Sequence, residues 1–84
     1  MLSGEVRVND IEIGRWSATN VRKQGGFNDY ECHLEYRGLD GYMYRAEWMI
    51  YGQYQKSGAI ALSARVLSEG MTKATRVEEW RNNV

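Results

Sequence analysis

The stretch YECHLEYRGLDGYMYRAEWMI, residues 30–50, decides the fold. Tyr30, Cys32, Leu34 and Tyr36 alternate with Glu31, His33, Glu35 and Arg37, and Tyr42, Tyr44, Ala46, Trp48 and Ile50 repeat the alternation beyond Gly38-Leu39-Asp40-Gly41. Successive side chains of a strand point to opposite faces, so this period of two describes a pair of half-buried strands. A three-residue loop, Leu39-Asp40-Gly41 with Gly41 left-handed, sets their register. Tyr36 then faces Tyr44, Leu34 faces Ala46, Cys32 faces Trp48 and Tyr30 faces Ile50, while Glu35 meets Arg45 and His33 meets Glu47 on the other side. A slip of two residues would set Glu31 against Glu47, so charge opposes it.

Toward the N-terminus, Val6, Val8, Ile11 and Ile13 alternate with charged residues around Asn9-Asp10, a dipeptide that tolerates positive φ. A tight hairpin there pairs Val8 with Ile11, Val6 with Ile13 and Arg7 with Glu12, with the apolar pairs on one face. The large apolar side chains then move from odd positions to even ones, Trp16 and Ala18, which predicts a bulge near Gly14-Arg15. The strand runs on to about Arg22, and Gln24-Gly25-Gly26 breaks it. Toward the C-terminus, Ala59, Ile60, Leu62, Ala64, Val66 and Leu67 form a broad stripe, predicting a helix from about Gly58 to Glu69 with Gly70 as its C-cap. Thr75 with Glu78 resembles a capping box, and a second, short C-terminal helix follows if Trp80 docks. The expected fold is α+β, a four-stranded antiparallel meander with one helix across one face (ββββα).

At 84 residues with 43% hydrophobic and 26% charged content, the chain makes one domain, 1–84, with no Pro, repeat or linker to divide it. Its 11 basic and 11 acidic residues cancel, so no net field draws it to a nucleic-acid backbone. Cys32 is the single cysteine, which excludes an intramolecular disulfide and points to a reducing compartment. Met1 to Glu5 carry no basic start or apolar run, and no segment approaches the roughly 20 apolar residues of a membrane span. A cytoplasmic protein without membrane contact is expected.

Cys32 and His33 are the residue types a nucleophile and its base would need. As neighbours on one strand they project to opposite faces and cannot exchange a proton. A zinc site needs three or four protein ligands, and Cys and His supply two in the whole chain. Glu31, His33, Glu35 and Glu47 gather on the polar face, where a weak divalent-ion site competes with a row of cross-strand ion pairs completed by Arg37 and Arg45. The ion-pair row is the ordinary condition of a wet sheet face. Gly25-Gly26 lacks the Lys-Ser/Thr end and helix of a phosphate loop, and no nucleophile elbow is present. The expectation is no enzyme, no cofactor and no metal.

Six Tyr and three Trp exceed what a small core encloses. Tyr42, Tyr44 and Trp48 belong to the inner face. Met43, Arg45, Met49 and Tyr51 lie on the outer face of the same strand, with Tyr54 close behind. With Trp80 they are the candidate partner-binding residues, because Met, Tyr, Trp and Arg are favoured in interfaces. The competing reading has this face covered within the fold, by the tail around Val77 and Trp80. The expected partner is a second copy, as a homodimer, or a larger protein; stacking of unpaired bases is the alternative.

Strands followed by a helix opened by Lys56-Ser57 and carrying Ala59, Ala61 and Ala64 resemble the last part of a double-stranded-RNA-binding domain, over about Tyr30 to Leu67. The N-terminal hairpin stands where that family has a helix, and one Lys stands where it has a basic cluster. Val8-Asn9, Ile13-Gly14-Arg15-Trp16, Tyr30-Glu31-Cys32 and the Ala/Leu helix from Ala59 to Leu67 resemble short accessory proteins of phages that infect actinobacteria. A bias of eight Arg to three Lys agrees with such a GC-rich origin. That resemblance implies a small soluble protein acting by binding in the host cytoplasm, to itself or to a host protein, and transfers no functional residue.

Overall fold

The computed structural model describes residues 1–77. The elements are β1 (Leu2–Val8), β2 (Ile11–Gln24), β3 (Phe27–Arg37), β4 (Met43–Tyr54), a 3-10 turn (Gln55–Ser57), α1 (Gly58–Lys73) and β5 (Thr75–Arg76). The strands form one antiparallel sheet in the order β1-β2-β3-β4-β5. Among the described residues the fold is therefore α+β, with one α-helix on a five-stranded sheet where the sequence pattern predicted four strands.

The β3–β4 hairpin forms as its alternation dictates. Tyr36 pairs with Tyr44, Leu34 with Ala46, Cys32 with Trp48, Tyr30 with Ile50, Glu35 with Arg45 and His33 with Glu47. Gly41 adopts φ 84°, and its N–H donates to the Gly38 carbonyl at 3.0 Å, closing the expected three-residue loop. Around the first turn, Asn9 and Asp10 take φ 50° and 66°, and Val8 pairs with Ile11 and Arg7 with Glu12.

Beyond those pairs the predicted register needs correction. Val6 pairs with Gly14, and Ile13 is the extra residue of the bulge. Gly14 takes the ladder position because β2 lies against β3 there so closely that a Cβ would stand 1.9 Å from the Glu35 carbonyl oxygen. The irregularity is thereby pushed one residue ahead of the glycine. Val8 and Ile11, expected on the buried face, are 47% and 64% exposed.

A second irregularity leaves Val21 of β2 unpaired between Asn20 and Arg22, and a third in β4 accommodates Gly52 at φ 66°. Both flank the same part of β3. The Gly52 N–H donates to the Asp29 carboxylate at 2.9 Å, replacing the ladder bond that the bulge removes.

Leu34, Cys32 and Ile50 of the sheet and Leu62 and Val66 of α1 form the centre of the core. The helix does not end at Gly70; it runs to Lys73, and Gly70 is buried within it. A Cβ at Gly70 would lie 2.7 Å from Trp48 Cη2 and 2.8 Å from Leu34 Cδ1, so glycine serves there to let the helix backbone approach the sheet. The Trp48 indole N–H donates to Glu69 Oε1 at 3.1 Å, and Arg65 Nε donates to Glu69 Oε2 at 2.6 Å, satisfying the polar atoms at the rim of this contact.

The helix start expected at Thr75 also needs correction, while the rest of that short helix lies outside the described residues. Ala74 turns extended at φ −62° and ψ 136°, and Thr75 and Arg76 pair with Arg45 and Tyr44 as β5. The Val77 N–H continues the ladder to the Met43 carbonyl at 2.9 Å, and Arg76 stacks over Tyr42 at 4.6 Å. The free edge of β4 offers these residues backbone partners, whereas two turns of isolated helix are marginal in water. Glu78 and Trp80 lie outside the described residues.

Gly70→Ala raises intrinsic helix propensity, yet it is expected to destabilise the fold by about 1–3 kcal/mol through overpacking against Trp48 and Leu34. Urea unfolding monitored by tryptophan fluorescence measures the change.

Candidate functional site

Because α1 seals one face of the sheet, the side chains of opposite parity carry whatever the sheet presents outward. Among the described residues no element covers that outer face. The register arranges its centre in rows across the strands. Glu5 of β1 stands beside Arg15 of β2, Arg15 beside Glu35 of β3, and Glu35 beside Arg45 of β4. The next row is Ser3, Ser17, His33 and Glu47, and Thr19, Glu31 and Met49 follow. A shallow basin of about 390 Å³ lies between the first two rows, bordered by Arg15, Ser17, His33, Glu35, Arg45 and Glu47.

The charges are laced together within the chain. Arg45 Nη2 lies 3.5 Å from Glu35 Oε2, and His33 lies between Glu31 Oε1 at 3.2 Å and Glu47 Oε1 at 3.7 Å. Arg7 Nη1 donates to Glu5 Oε2 at 2.8 Å and holds that carboxyl below its usual range. All of these pairs are exposed, so each contributes a fraction of a kcal/mol. Among the described residues no group of three or more His, Cys, Asp or Glu is arranged to hold a metal ion.

Met43, Arg45 and Met49 stand on the outer face as the alternation predicts, with both methionines half-buried. Tyr51, beside the bulge at Gly52, and Tyr54, beyond it, stand at the end of β4, 69% and 49% exposed. There they join a residue that sequence reasoning passed over as part of a turn: Phe27 pairs with Tyr54 across the strands, with ring centroids 5.6 Å apart. Arg22, hydrogen-bonded to Gln24, borders the same aromatic end. Phe27 was legible as the first residue after a Gly-Gly turn whose alternation matches Asp29 and Glu31. Trp80 lies outside the described residues.

Cys32 points the other way, fully buried against the helix side, while His33 faces out. Burial, followed by the nearby Glu69 carboxylate, pushes the thiol up to about 11. Thiol and imidazole therefore do not meet. At the β3–β4 loop, the Tyr44 hydroxyl donates to Asp40 Oδ2 at 2.6 Å and the Tyr42 N–H donates to Oδ1 at 3.0 Å, which lowers the Asp40 carboxyl and raises the Tyr44 phenol.

A second exposed apolar surface, missed because its residues fitted the hairpin pattern, joins the β1–β2 turn to the end of α1. Val8, Ile11, Ile13, Leu39 and Met71 border an open hollow of about 380 Å³ there. Leu39, at the tip of its loop, is fully exposed. No helix among the described residues is long and apolar enough to cross a membrane.

Cys32 is expected to resist alkylation at pH 8 in the native protein and to react rapidly in urea, read by mass spectrometry. The folded thiol ionises near 11 against an ordinary value of 9.0, so the native state favours the protonated form. Its contribution to stability is complete below about pH 9 and falls away as pH rises toward 11, which denaturant midpoints across that range measure. Comparison with protein-family models, with curated proteins and with solved structures finds no match to this chain.

Proposed function

We propose that this chain is a non-catalytic protein-binding module that acts through the outer face of its sheet. The observation that carries the reading is the face itself, which no element covers among the described residues: in a small domain whose other face is sealed by α1, it combines a charged centre with Met43 and Met49 beside it and Phe27, Tyr51 and Tyr54 at one end. Aromatic, Met and Arg side chains supply contact area at interfaces, and charges fix orientation and discriminate between partners. A nucleic-acid partner suits the face less well. Arg15, Arg22 and Arg45 are accompanied on it by Asp29, Glu31, Glu35 and Glu47, so a phosphate backbone would meet more carboxylates than guanidinium groups there. The resemblance to phage accessory proteins that act by binding fits the same reading.

Oxidative footprinting locates the contact without knowledge of the partner. Met43 and Met49 are expected to oxidise several-fold more slowly in a concentrated lysate of the source cells than in dilute purified protein, with Met71 on the helix as the unprotected reference. Equal oxidation of all three in both conditions would overturn the proposal. Protection that disappears on nuclease treatment would transfer the face to nucleic acid.

A further inference from the structure

We propose that the partner on this face is a second copy of the same chain, related by a two-fold axis running along the strands between β2 and β3. The inference rests on the reading of the outer face as a protein interface and adds the identity of the partner from charge order alone. The row Glu5–Arg15–Glu35–Arg45 alternates in sign across four neighbouring strands. Turning a second sheet face-to-face about that axis brings β1 over the partner's β4 and β2 over the partner's β3. Glu5 then faces the partner's Arg45, and Arg15 faces the partner's Glu35. Each contact occurs twice, as an isologous interface requires.

The adjoining rows obey the same operation. Ser17 faces the partner's His33, Ser3 faces the partner's Glu47, and Thr19 faces the partner's Glu31, so hydroxyls meet imidazole or carboxylate and no like charges are opposed. A two-fold axis perpendicular to the strands and running along the charged row would instead set each of its Glu and Arg residues against itself. The order of charges therefore selects one arrangement and penalises the other, which is how electrostatics confers specificity. The long and middle dimensions of the molecule, 47 and 27 Å, give the broad face room for the roughly 800 Å² per partner that a standard interface buries. Packed sheets cross at about 30°, so the pairs nearest the axis, Arg15 with the partner's Glu35, keep their alignment best.

Light scattering on the whole chain tests the assignment. The wild type is expected to be a dimer in the micromolar range at low salt and to shift toward monomer as salt rises to ~1 M. Glu35→Arg and Arg15→Glu are each expected to weaken association by about tenfold or more, since each opposes like charges at both central contacts. An equimolar mixture of the two variants should restore a dimer with one chain of each kind. Within a single chain either reversal also sets like charges side by side, and mixing leaves that unchanged, so restoration reports the interface alone. Circular dichroism and melting curves verify that both variants fold.

A wild type that stays monomeric throughout the range, reversals that dimerise as well as the wild type, or a mixture that stays monomeric would each overturn the second copy as partner. Protection of Met43 and Met49 in lysate would survive any of these results and assign the face to a different protein. Loss of that protection together with a monomeric wild type would remove both readings.

Discussion

The seating of α1 on the sheet at Gly70 governs the molecule. With no side chain at that position, the helix backbone comes down onto Trp48 and Leu34, and Leu62 and Val66 follow into the core beside Ile50 and Cys32. Glu69, next in the chain, meets the Trp48 indole N–H and leaves no buried polar atom of the contact unsatisfied. One helix of 16 residues thus accounts for the covering of one face, and among the described residues no element covers the side chains of opposite parity. The division of labour between the two faces follows from this single contact.

Most of the sheet could be read from sequence because its signals agree. In β3 and β4 the period-two alternation, the glycine-closed loop and the cross-strand charges all demand one register, and the chain adopts it. In β1 and β2 the parity switch announced a bulge, yet the residue that bulges depends on how closely β2 approaches β3 at Gly14, a fact of packing that no local pattern contains. Gly70 carries two contradictory meanings, helix terminator and point of close approach, and only the neighbouring Trp48 and Leu34 decide between them. Thr75 likewise reads as a helix cap until the open edge of β4 is placed beside it. Of the outer face, Met43, Arg45 and Met49 were visible in the alternation. The cluster of Phe27 with Tyr54 was not, because it depends on a shift in β4 at Gly52.

The charged centre of the outer face shows how pairing converts a one-dimensional pattern into a two-dimensional one. Glu5, Arg15, Glu35 and Arg45 are widely separated in sequence, and three antiparallel ladders place them side by side. Their mutual attraction within one exposed layer adds little to stability. Their information content is larger, since a face that alternates in sign distinguishes among the ways another surface can be laid upon it. The aromatic end, held by the Asp29 contact to the bulge in β4, adds contact area at one extremity of the same surface.

The two margins of the sheet bear on how any protein can approach it. On one side the chain folds its own Thr75 and Arg76 over β4, and the shift at Gly52 interrupts that strand further along. On the other, β1 is only 7 residues long, carries Glu5 and Arg7 as an ion pair, and is wound by the bulge at Ile13. Short, charged and bent margins are poor templates for the addition of another strand. The molecule is thereby discouraged from growing sideways into ribbons or fibrils, and association is steered from the backbone at its rims to the side chains on its broad surface.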